Sequence, residues 1–305
     1  DIGFVMLDPE IAHKKKQALL DNLRALDSLL VAFSGGVDST FLLAVAHEAL
    51  GKKVIAVTAH SIIYPRSEME EAVAFARRRG IEHVLLASEA SHLPEFAANP
   101  PERCYFCKKY LFGRLREIAG QRGIRSIAHA ANMDDFDDFR PGWKAAVEME
   151  GIAPLVDARL TKEEIRFLSK EMGLTTWDKP SMACLASRIP YGEPITETKL
   201  RMIGEAEKEL ASQGFTQYRV RHHGPVARVE LQASDMNRIM EPKIKERIVA
   251  KLKELGFLYV TLDLEGYAMG SMNRAIEVPK VSKMPKVEKP NQKKKPTTKT
   301  RRRSA

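Results

Sequence analysis

Residues 28–40, SLLVAFSGGVDST, decide the fold. Ser28 to Phe33 is a buried-strand pattern, and Asp38 to Leu50 is a helical one. Between them, Gly35 and Gly36 let the backbone come close to an anion. Successive amides and the start of the helix supply positive potential, and Ser34, Ser39 and Thr40 add hydroxyls. The stretch therefore predicts a phosphate cradle. The chain holds neither GxxxxGK[ST] nor GxGxxG, so P-loop NTPase and dinucleotide-binding readings lose their main support.

Working outward, short apolar runs alternate with longer amphipathic ones. Val54 to Thr58, Leu85 with Leu86, and Ser126 to Ala130 read as strands; Glu68 to Arg79 and Tyr105 to Gln121 read as helices. This alternation predicts an α/β fold with a doubly wound parallel sheet, whose ligand lies beyond the carboxyl ends of the strands. Thr161 and Glu164 form a capping-box pattern for a helix that Gly173 can close. After the Pro- and Gly-rich loop 180–194, the order is helix 197–213, strand 217–221, a turn at Gly224-Pro225, strand 226–231, helix 234–255 and strand 259–264. The expected domains are 1–190, a smaller α+β domain over 191–279, and a disordered basic tail over 280–305.

Composition narrows the class. The chain has 305 residues, 44% hydrophobic and 29% charged, which suits a folded protein of one large or two modest domains. The net charge of +9 sits in the tail, where eleven basic residues face one acid; positions 1–279 carry a net charge of −1. The body is thus not a basic nucleic-acid surface, although the tail could meet RNA or a membrane surface. No apolar run approaches the ~20 residues of a membrane span. Asp1 to Pro9 lacks the charged and apolar regions of a secretory signal. Three cysteines are too few and too odd in number for a secreted disulfide framework, and a reducing cytoplasm fits them better.

Those cysteines form the second motif. Cys104 and Cys107 stand three positions apart at a helix start in PERCYFCKK, where Lys108 and Lys109 favour thiolate. Cys184 follows 77 positions after Cys107, in SMACLASR. A structural zinc site wants four protein ligands, whereas three thiolates suit a [4Fe-4S] cluster with one open iron. A redox pair and buried unligated thiols are the other readings. At the next strand end, His60 and Ser61 either lie near the nucleotide or form an ordinary strand exit. Asp134, Asp135, Asp137 and Asp138 can organise Mg²⁺ or orient a loop, or form a solvated acidic loop. Arg188, and Arg219 with Arg221 on one strand face, offer forks for phosphate or carboxylate; salt bridges to Glu207 or Glu230 are the alternative for the strand pair.

SGGVDST resembles the pyrophosphate loop of the PP-loop ATP pyrophosphatases, the adenine nucleotide alpha hydrolase-like fold. The order SGGVDST, PERCYFC, NMDDFDDFRPG, SMACLASRIPYGEPIT and YRVRHHGPVARVEL resembles the LarE-type ATP-dependent sulfur transferases of lactate racemase cofactor maturation, from about Leu23 to Asn273. The resemblance implies ATP and Mg²⁺ as cofactors, with Ser34, Gly35, Gly36, Asp38, Ser39, Thr40 and Ser61 at the nucleotide. It implies a pyridinium biscarboxylate mononucleotide as substrate, each carboxylate becoming a thiocarboxylate on the way to the nickel-pincer nucleotide. Arg188, Arg219 and Arg221 would hold substrate phosphate or carboxylate, and Glu207 and Glu230 would line a cation patch. The three-cysteine members bind a [4Fe-4S] cluster whose open iron delivers sulfide; the single-cysteine members sacrifice the sulfur of the residue matching Cys184. The family also implies a homo-oligomer that works with nickel-pincer maturation proteins, and it says nothing of the tail.

Two rivals share the ATP loop. A tRNA-thiolating enzyme would use the same cluster, against which the body's slight acidity argues. Amidotransferases and synthetases of the superfamily use ammonia and need no cysteine trio. A non-catalytic metal-binding module has no use for a pyrophosphate cradle.

Overall fold

The computed structural model describes residues 7–136, 141–180, 183–268 and 270–275. The basic tail lies outside the described residues. Helix α1, Pro9–Arg24, starts on Asp8, whose carboxylate accepts from the amides of Glu10 and Ile11, and buries Ala12, Leu19, Leu20 and Leu23. The alternation read from Leu23 onward omits this helix, although its apolar face has helical spacing.

The first sheet is parallel throughout, in the order β3-β2-β1-β4. Its strands are β1 Leu29–Ala32, β2 Val54–His60, β3 Glu82–Ala87 and β4 Ser126–Ala128. Side chains alternate across it as a pleated strand requires. Leu29, Val31 and Ala56 face one layer, and Leu30, Ile55, Val57 and Ile127 face the other. The first layer is built by α1, α2 (Val37–Leu50), α3 (Arg66–Arg78), a short α7 (Pro154–Asp157) and α8 (Lys162–Glu171). The second holds α5 (Arg103–Gln121), preceded by a short α4 (Pro94–Ala97), and α6 (Pro141–Glu148). The chain runs β1 to β3 outward on one side and returns to β4 through α5 on the other. The sheet is therefore doubly wound, with its switch point between β1 and β4. The capping box of Thr161 and Glu164 is formed at the start of α8.

The second sheet has the order β5-β6-β7, with β5 Tyr218–His223 antiparallel to β6 Val226–Leu231 and β7 Tyr259–Leu262 parallel to it. Helices α9 (Glu197–Ser212) and α10 (Pro242–Glu254) cover one face, burying Ala206, Leu210, Val220, Val229, Ile248 and Leu252. The helix expected over 234–255 is two 3₁₀ turns followed by α10. Pro242 explains the break: it has no N–H to donate, its ring blocks the preceding turn, and it suits the first position of a new helix. The start of α9 is shared between the units, because Leu200 and Ile203 pack with Ile63, Phe96, Leu185 and Ile189. Among the described residues, no helix is long and apolar enough to cross a membrane.

Candidate functional site

The phosphate loop leaves β1 at the switch point. The Phe33 amide donates to Val57 O (2.8 Å), and the Thr58 hydroxyl donates to Phe33 O (2.7 Å), with His83 Nε2 2.8 Å from that hydroxyl. Gly35 then takes φ +74°, and a Cβ there would lie 3.2 Å from Ala72 Cβ and 3.3 Å from Glu68 O on α3. Glycine is required both by conformation and by the close approach of that helix. Gly36 caps α2 with no side-chain bond, so the helix start keeps its electropositive end for a ligand. Ser34 Oγ and Ser39 Oγ stand 3.0 Å apart, and Ser39 Oγ donates to Gly36 O (3.2 Å).

Asp38, in the first turn of α2, receives Lys162 Nζ at 2.5 Å on Oδ2. Its other oxygen, Oδ1, and Thr40 Oγ1 are buried with no hydrogen-bond partner among the described residues. A buried carboxylate oxygen left over beside a phosphate cradle fits Mg²⁺, a hard cation that prefers such ligands. The Lys162 amide donates to Asp134 Oδ2 (2.6 Å), and Asp135 Oδ2 accepts from the Asn132 amide (3.0 Å). These two acids brace the loop after β4. Asp137 and Asp138 of the acidic cluster lie outside the described residues.

A second lysine reaches the loop. Lys179 Nζ donates to Gly35 O (3.3 Å) and pairs with Glu68 (2.9 Å) and Glu71 (2.7 Å). Burial works to lower its pKa, but the bonds with Glu71 and Glu68 outweigh it and the net direction is upward. Nothing in the sequence pairs Lys162 or Lys179 with a glycine loop more than a hundred positions away.

At the end of β2, the Ser61 hydroxyl accepts from the Ile63 amide (3.3 Å) and Ser61 O accepts from the Tyr64 amide (3.1 Å). His60 closes β2, its carbonyl accepting the Ser88 amide. This turn carries Tyr64 to the cysteines, a residue that the sequence reading passes over. Ile63 O also accepts the Leu185 amide (2.8 Å), which brings the Cys184 segment alongside. Cys107, Cys184 and Tyr64 pack on one apolar cluster, and the Tyr64 hydroxyl shares a hydrogen bond with Cys107. Burial, then the neighbouring Cys184 and Cys104, push the Cys107 thiol up to about 12. Lys108 favours the thiolate, as expected, and so does the Tyr64 hydrogen bond, but at Cys107 burial and the other two cysteines outweigh them. No disulfide links the three cysteines, and among the described residues no group of three His, Cys, Asp or Glu is arranged to hold a metal ion. The three thiols all neighbour Tyr64 closely enough to act on it electrostatically, and as a donor set they match in kind the three thiolates of a cubane; a bound cluster would supply the charge that keeps them deprotonated.

Asn99 and Arg103 tie the two cysteine segments together. Asn99, fully buried at φ +57°, donates to Pro190 O (2.7 Å) and Glu193 O (2.9 Å), and its Oδ1 accepts from Arg103 Nη1 (2.7 Å). The Arg103 guanidinium lies 4.3 Å above the Tyr191 ring.

Of the three arginines expected at substrate, Arg188 and Arg221 are held in buried ion pairs. Arg188 is 0% exposed, and its Nε and Nη2 donate to Glu207 (2.8 and 3.0 Å). Its Nη1 donates to the carbonyls of Ala183 (2.7 Å) and Cys184 (3.1 Å) and to Ser187 Oγ (2.9 Å). A guanidinium so engaged positions Cys184 and has no face left for a ligand. Arg221 is likewise buried, forked on Glu230 (2.9 and 2.8 Å) and donating to Ser187 O (2.9 Å) and Ser271 Oγ (2.9 Å). Arg219 donates to Tyr218 O (2.6 Å) and lies 4.9 Å from the Tyr267 ring; burial, then Arg188, lower its pKa. Glu207 and Glu230, expected at a cation patch, are the partners of Arg188 and Arg221.

His129 follows β4 directly, 5% exposed, with its ring 5.9 Å from Phe112 and 5.3 Å from Trp143 and its Nε2 without a hydrogen-bond partner among the described residues. Burial, helped by Lys108, lowers its pKa to about 3. The unfolded chain, with an ordinary value of about 6.5, takes up a proton that the folded chain refuses. Stability therefore falls as pH drops below about 6.5, by about 1 kcal/mol per pH unit. His129→Phe is expected to reduce the measured slope by that amount, while His83, His222 and His223, whose pKa values burial also lowers, keep their own contributions; equal slopes in urea unfolding of parent and variant between about pH 6.5 and 5 would refute the burial argument.

The chain's likenesses agree with this geometry. Residues 10–103 match the family described as asparagine synthase. The chain is 42% identical over 264 residues to an uncharacterized protein of Synechocystis sp., covering 85% of this chain and 98% of that one. It is 35% identical over 260 residues to the pyridinium-3,5-bisthiocarboxylic acid mononucleotide synthase of Lactiplantibacillus plantarum, covering 85% and 94%. A GMP synthase of Aeropyrum pernix is 28% identical over 205 residues, but these are 59% of this chain and 39% of that one. With a phosphate loop at the switch point of a parallel sheet and a likeness that spans nearly the whole of the Lactiplantibacillus synthase, the protein belongs to the LarE-type family of ATP-dependent PP-loop enzymes.

Proposed function

We propose that the protein is an ATP-dependent sulfur transferase that converts the carboxylates of a pyridinium biscarboxylate mononucleotide to thiocarboxylates, in nickel-pincer nucleotide synthesis. The observation that supports this reading is a phosphate loop together with three cysteines neighbouring Tyr64, in a chain that is 35% identical to a synthase named for such a product.

A carboxylate is a poor electrophile until its oxygen becomes part of a leaving group. A substrate carboxylate attacks the α-phosphorus of ATP, and pyrophosphate departs onto the amides and hydroxyls of Ser34, Gly35, Gly36, Ser39 and Thr40. Asp38 holds Mg²⁺ at those phosphates, and Ser61 lies at the nucleotide end of β2. The acyl-adenylate then loses AMP when sulfur attacks its carbonyl carbon. A [4Fe-4S] cluster bound through Cys104, Cys107 and Cys184 supplies the sulfide when present. Tyr64 and the surrounding apolar side chains pack on Cys107 and Cys184, and Arg188 fixes the backbone of Cys184. Substrate phosphate or carboxylate falls to Arg219, whose guanidinium lies beside Tyr267. The single-donor alternative gives up the Cys184 sulfur itself. We place the enzyme in a reducing cytoplasm, as a homo-oligomer working with the proteins that mature the nickel-pincer cofactor.

Anaerobic purification with iron, sulfide and zinc analysis, on the parent chain and on Cys104→Ala, Cys107→Ala and Cys184→Ala, tests the donor. About four irons per chain, lost in each variant, are expected, with the cysteines intact after turnover. Iron-free protein that shows Cys184 as dehydroalanine by mass spectrometry after reaction with ATP and substrate would replace the cluster by sacrificial donation.

A further inference from the structure

The peptide unit joining Phe33 to Ser34, where β1 turns into the phosphate loop, is held by side chains of two other strands. Its carbonyl takes the Thr58 hydroxyl of β2 at 2.7 Å. A carbonyl only accepts, so the Thr58 proton is committed there, and the 2.8 Å contact with His83 Nε2 of β3 has the imidazole donating. On the other side of the same planar unit, the Ser34 N–H donates to Ser39 Oγ (3.3 Å), and Ser39 Oγ donates to Gly36 O (3.2 Å). The donors of His83, Thr58, Ser34 and Ser39 thus follow one another head to tail, from the strand at the sheet edge to a hydroxyl of the loop. The last link is the replaceable one. Gly36 O already accepts the Thr40 amide at 2.9 Å, so the Ser39 proton can leave it without orphaning a carbonyl.

We propose that Thr58 and His83 are positioning residues of the phosphate loop, which align this chain so that Ser39 Oγ turns its proton onto the departing pyrophosphate. Each hydrogen bond in such a chain polarises the next. A Ser39 hydroxyl that accepts the Ser34 N–H, itself drawn on by Thr58 through the Phe33 carbonyl, is a stronger donor to a phosphate oxygen than an isolated serine. Its oxygen is also in place before the ligand arrives, so little ordering is left to be done on binding. Neither Thr58 nor His83 needs to touch phosphate; both act through the Phe33 peptide. The inference rests on the assignment of this loop to the pyrophosphate of ATP, and the test separates the two.

Titration calorimetry of the full chain with magnesium pyrophosphate provides that test. Thr58→Val, which keeps the branched shape and removes the hydroxyl, is expected to bind about tenfold more weakly than the parent, and Thr58→Ser within about twofold of it. In a Ser39→Ala background, where the chain has lost its end, Thr58→Val is expected to cost less than about twofold further. Lost packing alone would weaken both backgrounds equally and would not be rescued by serine. Either of those results overturns the proposal, as does a Thr58→Val chain that binds as tightly as the parent. A parent that does not bind magnesium pyrophosphate overturns the assignment of the loop, and the proposal with it. Should Thr58→Val fail to fold, His83→Phe keeps a ring against Phe33 and removes the donor. It is put through the same cycle, with an expected loss of about threefold in the parent background; equal losses in both backgrounds, or none, overturn the proposal.

Discussion

Glu207→Ala is expected to lower the unfolding free energy by about 3–5 kcal/mol, measured by urea denaturation. Arg188 and Glu207 are 0% and 4% exposed, and the carboxylate accepts both from the guanidinium and from the Val220 amide. Truncation leaves a charged guanidinium in the interior beside Arg219, whose pKa Arg188 already depresses, and leaves a strand amide unpaired. The penalty is that of an uncompensated charge rather than the net worth of the pair. The double variant Arg188→Met/Glu207→Leu removes both charges and is expected to recover most of the loss, because a buried ion pair is often replaceable by apolar side chains. It is not expected to recover sulfur transfer, since the carbonyls of Ala183 and Cys184 lose their donor. A loss below about 1 kcal/mol, the range of an exposed pair, would show that water reaches this pair.

Gly35→Ala is expected to leave a folded chain whose affinity for an ATP analogue falls by about 10- to 100-fold. A side chain at φ +74° costs about 1–2 kcal/mol. The added methyl meets Ala72 Cβ at 3.2 Å and the Glu68 carbonyl at 3.3 Å. The second of these is helix backbone, which cannot turn aside, so the loop must move. Each charge-assisted bond lost to the phosphates is worth about 1.5–3 kcal/mol, and 1.4 kcal/mol is tenfold in affinity. Titration calorimetry with Mg²⁺ and the analogue measures this directly. Unchanged affinity would mean that the phosphates are held elsewhere.

What could be read from the sequence was what is local. Strand period, the glycine turn at Gly35 and Gly36 and the capping box at Thr161 are each written within a window of a few residues, and the double winding follows from their order. The chemistry of the loop was legible for the same reason. The partnerships were not. Arg188 has the residue type of a phosphate ligand, and only the burial of Glu207 opposite it, 19 positions on, decides that it positions backbone instead. Lys108 stands beside Cys107 in sequence and favours thiolate, yet burial prevails, and burial is a property of the packed cluster around Tyr64 and Ile63. The broken helix before α10 had a local sign, Pro242, which the apolar pattern on either side of it masked.

Helix α8 carries Lys162, Arg166 and Lys170 at steps of four: the first reaches Asp38 of the phosphate loop's helix, and the other two hold the 177–179 segment through the carbonyls of Trp177 and Lys179 and the Trp177 ring. Such spacing keeps three cations on one side of the cylinder, and one inserted residue turns everything beyond it by about 100°. With Ile165 and Leu168 packed in the core on the remaining side, one residue inserted between Lys162 and Lys170 would break the register of both faces at once.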